Sequence, residues 1–186
     1  MENEKNPMNL PGGWGKDALE KTFELYASAL YNYALRLGHD PIMADHIVGD
    51  VFAKLLEQIA SGRGPTTNLR SYLYQSTYHM IIDHARSSRR TAPLEVADSL
   101  NPESRSTSAS VENQAMFDVI LKAMRSQLSE DQRHVLVLRF LEDFSVSETA
   151  AILGKEAGHI KVIQGRALAK LRKSLGHSGQ ELGREL

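Results

Sequence analysis

The chain contains no cysteine. That excludes disulfides and thiolate metal sites and fits a cytoplasmic setting. No stretch approaches the ~20 apolar residues that a membrane-spanning helix needs, so no membrane insertion is expected. The first residues, Met1 to Lys16, are polar and rich in Asn, Pro and Gly. They lack the apolar segment of a secretory signal and read as a disordered tail. Histidines are present without metal spacing. His79 and His84 are five apart, which takes them off one helical face, and no His-x-x-x-His pair occurs; no metal site is expected. There is no glycine-rich phosphate loop and no nucleophile–base set, so neither catalysis nor a cofactor is expected. The chain also lacks a net charge of either sign, carrying −1 at pH 7. The distribution says more than the sum. Phe144 to His177 holds six Lys/Arg against two Glu, and Ser61 to Ala92 holds five Arg against one Asp. Acidic residues gather in Asp40–Glu57, Glu95–Glu112 and Glu142–Asp143. Two basic segments separated by an acidic one point to two nucleic-acid surfaces, with other surfaces for a different partner.

What is present is helical periodicity almost throughout, with no convincing strand alternation. Phe23, Tyr26, Leu30, Tyr33, Ala34 and Leu37 mark a first helix that stops near Gly38. Asp40-Pro41 forms an N-cap and N1 pair for a second. Its apolar stripe is Ile42, Ile47, Val48, Val51, Phe52, Leu55, Leu56 and Ile59. Ser61–Pro65 breaks it. A third helix runs from about Leu69 to Arg89, with Leu73, Thr77, Met80, Ile81 and Ala85 toward the core. From Thr91 to Ser110 the composition turns to Ser, Pro, Thr, Asn and Glu, as in a linker. Beyond it, 111–127 and 129–141 read as helices, the second opened by a Ser129/Gln132 capping box. The expected fold class is all-α, with two small helical domains on a flexible linker. The segments are a tail at 1–18, a domain at 19–91, a linker at 92–111, a domain at 112–176 and a tail at 177–186.

Residues 145–166 read as a helix-turn-helix, the unit that lays its second helix into the DNA major groove. Ser145 with Glu148 forms a capping box. Ala150 is small enough for close helix approach, Gly154 sits where the chain turns with φ > 0, and Ile160 plugs the second helix. That helix is expected to reach about Leu175. Lys161, Arg166, Lys170, Arg172 and Lys173 follow on it; the last three fit a solvated face as well as they fit phosphate contacts. The third helix interleaves Tyr72, Tyr74 and Tyr78 with Arg70, Arg86, Arg89 and Arg90. Aromatics among arginines suit single-stranded DNA, where bases stack and guanidinium groups hold the backbone. Tyr72 fits a core position equally well.

Four stretches taken together are similar to a bacterial RNA polymerase sigma factor of the extracytoplasmic-function group, which keeps sigma domains 2 and 4. They are Ala44-Asp-His-Ile-Val-Gly-Asp-Val-Phe52, Ser71-Tyr-Leu-Tyr through Ile82-Asp-His-Ala-Arg86, Leu128–Arg139, and Ile160–Arg172. The resemblance implies core RNA polymerase and promoter DNA as partners and leaves room for an anti-sigma factor. It implies that His159, Lys161, Val162, Gln164, Arg166 and Lys170 face the −35 element. Arginine would donate to guanine and lysine to phosphate. Val162 and Ile163 stand where many relatives are polar, so readout would lean on thymine methyls, unless Ile163 is core. For the −10 element it implies Arg70, Tyr74, Tyr78, His79, Asp83, Arg86 and Arg89, with loop Ser61–Asn68 as the wall of a pocket for an extruded base. For the polymerase it implies Asp45, Asp50, Val51 and Lys54, facing out while Val48, Phe52 and Leu55 face in. The resulting expectation is promoter-specific initiation. A helix-turn-helix operator-binding regulator and a partner-sequestering interaction module are the rival readings.

Overall fold

The computed structural model describes residues 14–91 and 111–182; the side chains of 88–91, 111–114 and 177–182 lie outside the description. The expected linker and most of the N-terminal tail therefore fall outside the described residues. Among those residues all regular structure is helical. The order is α1 (Lys16–Leu37), α2 (Pro41–Ala60), α3 (Leu69–Thr91), α4 (Val111–Gln127), α5 (Glu130–Leu136), a π-helical turn (Val137–Leu141), α6 (Val146–Leu153) and α7 (Ala157–Leu182). They form two compact units, one built on α1–α3 and one on α4–α7. α1 begins inside the segment expected as tail, and α7 runs past Leu175. Gly176 costs a helix only ~1 kcal/mol relative to alanine and does not end it.

In the first unit the caps follow from local chemistry. The Asp40 carboxylate accepts the Met43 N–H at 2.8 Å, and Pro41 needs no donor at N1. Ala44, Ile47, Val48, Val51 and Leu55 bury one stripe of α2. Against it lie Leu30, Tyr33 and Ala34 of α1 and Leu69, Leu73, Tyr74 and Ile81 of α3, all buried. Two buried threonines return their hydroxyls to the preceding turn, Thr22 to the Ala18 carbonyl at 2.7 Å and Thr77 to the Leu73 carbonyl at 2.8 Å. No polar group is then stranded at those positions.

In the second unit both capping boxes form. Ser129 and Gln132 exchange bonds at 3.4 and 3.1 Å, and Ser145 and Glu148 at 3.2 and 2.8 Å. Losing such a cap costs ~1 kcal/mol. Gly154 takes φ 61° and ψ 37° at the end of α6, a left-handed turn that glycine makes without strain. Lys155 N–H then closes back on the Ala150 carbonyl at 2.9 Å. Val135, Val137, Leu138, Phe144, Ile152, Ile160 and Ala167 fill the core.

Candidate nucleic-acid interface

The second unit presents one face of α7 outward. Ile160, Ile163, Ala167 and Leu171 are buried, at the i, i+3, i+7, i+11 spacing of one helical face. This settles Ile163 as core. Half a turn away, Gly158, Val162, Gly165 and Ala169 are exposed along the outer line. Val162 is 47% exposed. Lys161 and Arg172 flank this line on one side, and His159, Arg166 and Lys173 on the other, all exposed. A Cβ on Gly158 or Gly165 would meet nothing within 4 Å. The outer line is thus small or apolar, with cations on both shoulders.

Two of the expected contact residues have duties inside the unit. Gln164 is half-buried and its Oε1 accepts a bond from Arg139 Nε at 3.2 Å. Arg139 also donates through Nη1 to the Phe144 carbonyl. One guanidinium therefore ties the π-helical turn and the loop before α6 to the exposed helix. The sequence reading included Arg139 in a family stretch but gave it no role. Its signal is the spacing to Phe144 across a chain reversal, visible only once the π turn is known. Lys170 is exposed and its Nζ donates to Gln132 Oε1 at 3.3 Å. Lys155 pairs with Asp131 at 3.0 Å. Burial lowers the Arg133 guanidinium from its ordinary value, and nearby Glu130 opposes that.

The first unit corrects two expectations. Tyr74 is 1% exposed, so it cannot stack on a base. Its ring meets Tyr33 edge-on at 5.3 Å, and the Arg70 guanidinium lies 5.6 Å over it. The buried face of α3 is wide enough to take the adjacent pair Leu73 and Tyr74 together. Tyr72 is half-buried. Tyr78 is half-buried beside the exposed His79, ring centres 5.6 Å apart. Asp83 and Arg86 are exposed and 3.7 Å apart. The Arg89 side chain lies outside the described residues. Arg70 is half-buried; burial raises the Tyr26 phenol above its ordinary value, with Arg70 pulling the other way.

Val51 is the second correction, because it is fully buried. It comes nine residues after Ile42, which at ~100° per residue puts it half a turn away, and Ile42 is 70% exposed. Phe52 sits at the edge of the core instead, its ring 4.9 Å from that of Phe23. Asp45 and Asp50 are exposed and Lys54 is half-buried. Asp50 also pairs with His84 of α3 at 3.2 Å. Ile42, Leu56 and Phe23, apolar and at least half exposed, are surface residues that the sequence reading placed in apolar stripes.

Between α2 and α3, loop 61–68 carries Arg63 exposed at its start. Among the described residues no group of three His, Asp or Glu could hold a metal ion, and no helix is long and apolar enough to cross a membrane.

These features define a two-unit helical protein with a helix-turn-helix in its second unit. Residues 22–91 match the family model for sigma-70 region 2, and residues 126–173 that for sigma-70 region 4. Relatives include an RNA polymerase sigma-E factor of Streptomyces coelicolor, 33% identical over 79% of this chain and 80% of that protein. The ECF RNA polymerase sigma factor BldN of the same organism is 28% identical over 86% of this chain; the match spans 61% of BldN's length. The RNA polymerase sigma factor YlaC of Bacillus subtilis is 25% identical over 89% of this chain and 96% of its own. Among solved structures, the sigma factor RpoE in complex with the anti-sigma factor NepR from Bartonella quintana has a TM-score of 0.64 at 24% identity, covering 87% of this chain and 98% of that one. CnrH in complex with the cytosolic domain of CnrY also scores 0.64, at 20% identity, covering 88% and 90%. The chain belongs to the ECF RNA polymerase sigma factors, whose function is promoter-specific transcription initiation by RNA polymerase.

Proposed function

We propose that this sigma factor reads −35 DNA with the outer face of α7, opens −10 DNA with α3 and loop 61–68, and docks on core polymerase through α2. The observation that carries the reading is the exposed α7 face, cationic on both shoulders and small or apolar along its outer line. A helix with that relief can sit deep in a major groove, with its cations reaching phosphates on either wall. Lys161 and Arg166 make the principal contacts, His159 and Lys170 lie near the phosphates, and Val162 meets thymine methyls. Gln164 acts from the edge of this face, where its oxygen is already held by Arg139.

At −10, Tyr78 and His79 offer ring faces to unpaired bases, with Arg70, Asp83 and Arg86 on the same helix, and Arg89 is a further candidate contact. Asp45, Asp50 and Lys54 face the polymerase. Ile42 and Leu56 join them, since exposed apolar side chains beside charges are the composition of a protein interface. By likeness to RpoE, an anti-sigma factor is a further candidate partner. Such a protein works in the cytoplasm and leaves catalysis to the polymerase. Run-off transcription tests the reading: the chain with core polymerase should give transcripts from a defined start, and core alone should not. A chain that fails to co-purify with core yet binds palindromic DNA as a dimer would favour an operator-binding regulator instead. That alternative gives α2 and α3 no task.

A further inference from the structure

Trp14 is the chain's one tryptophan. It is half-buried just ahead of α1. The next residue, Gly15, starts the helix, its carbonyl accepting from the N–H groups of Ala18 and Leu19 at 3.1 and 3.2 Å. The indole is therefore carried by an ordered helix start. Its Nε1 donates to the Pro65 carbonyl at 3.3 Å, 51 residues along the chain.

Loop 61–68 is pinned at both ends by local hydrogen bonds, through backbone at its start and through the Asn68 side chain at its end. At the exit from α2, Gly62 turns with φ 70°, while the Gly62 and Arg63 N–H groups donate to the carbonyls of Ile59 and Gln58 at 3.0 and 2.8 Å. This is the Schellman closure of a helix end. At the entry to α3, Asn68 accepts the Ser71 N–H at 3.2 Å. The middle of the loop is where Trp14 reaches. Gly64 leaves room for it: a Cβ there would stand 2.9 Å from Ile59 Cγ1, 3.1 Å from Trp14 Nε1 and 3.3 Å from Trp14 Cδ1. The hydrogen bond and the steric fit are separate observations of one clasp of the indole on Gly64 and Pro65.

We propose that Trp14 is a positioning residue that holds loop 61–68 in the shape that receives an extruded −10 base, and so sets how strictly that base is chosen. The inference rests on the reading of this loop as the wall of the base pocket. A loop fixed before binding loses little entropy when the base enters, and it rejects bases that do not fit. A loop released in the middle adapts to several bases and discriminates less.

The test uses holoenzyme reconstituted from the full chain and core polymerase on a template pool randomised at both −35 and −10, with sequencing of the transcripts. Enrichments are ratios within one reaction, so a general loss of activity drops out. Wild type is expected to enrich one base at a −10 position about five-fold or more. Trp14→Ala should reduce that to about two-fold or less while −35 enrichments stay unchanged; Trp14→Phe, which keeps a ring without the donor, should fall between. Gly64→Ala should reproduce the loss and shift the Trp14 emission of the free full chain to longer wavelength, as the indole leaves its seat. A parallel Arg63→Ala, Thr66→Ala, Thr67→Ala variant separates the two claims. If it leaves −10 enrichment unchanged, the loop is not the pocket wall and the proposal falls with that reading. If it alters the enrichment and Trp14→Ala does not, the loop reading survives and the clasp is overturned.

Discussion

Arg166 stands exposed on one shoulder of α7, where its side chain is free to reach a guanine or a phosphate. Arg166→Ala is expected to weaken −35 duplex binding by ~1–3 kcal/mol and to lower the salt slope by about one charge. A salt titration giving wild-type affinity and slope would take Arg166 out of the interface. Gly165 raises a different question. It is exposed in mid-helix and nothing lies near its missing side chain, so packing does not explain it. Glycine there costs the helix ~0.5–1 kcal/mol relative to alanine. Gly165→Ala should therefore raise the thermal midpoint of the free protein while weakening −35 binding, because a methyl on the outer line holds the backbone away from the groove. Tighter DNA binding by this variant would refute close approach at that point.

At the scale of the element, α7 is aimed by a residue that lies outside it. Arg139 bridges Gln164 and the Phe144 carbonyl from the π-helical turn. Arg139→Ala should weaken −35 binding while the capping boxes still hold α5 and α6. Crosslinking or footprinting of the duplex would show a shifted or blurred register rather than the loss of one phosphate contact. Unaltered footprints would mean that the buried face of α7, Ile160, Ile163, Ala167 and Leu171, fixes the helix without the Arg139 bridge. On α2, Asp50→Arg reverses charge on the face proposed to dock on the polymerase and also breaks the pair with His84. Both residues of that pair are substantially exposed, so its share of stability is small. Holoenzyme assembly on a size-exclusion column should fall, with little change in thermal midpoint. Normal assembly would take Asp50 out of the docking surface and leave that role to Ile42 and Leu56.

At the scale of the whole molecule, the proposed reading of −35 by one unit and −10 by the other needs both units on one DNA at once. Joined by one chain, the second contact forms at a high effective concentration once the first is made. A protease site placed between residues 92 and 110, and cut after purification, should abolish promoter-specific run-off transcription. Each half should keep its helical circular dichroism. Undiminished transcription from the cut protein would show that core polymerase alone brings the two units together.

The sequence by itself determined the helices, their caps and the family. Periodicity, two capping boxes and Gly154 are local features, decided by hydrogen bonding and φ preference among residues near in sequence. Tertiary structure decided which side of each helix meets water. Val51 lies in the middle of its stripe, among Ala44, Ile47, Val48 and Leu55. Phe52, Tyr74 and Ile163 are apolar or aromatic at the margin of a stripe, and hydrophobicity alone does not say which margin is covered. That depends on neighbouring helices: Phe23 covers Phe52 partly, and Tyr33 takes Tyr74. The Arg139 bridge and the seat of Trp14 on Gly64 and Pro65 likewise join residues that are distant in sequence. Composition and spacing carry no record of such contacts, because they come into being only when the chain has folded.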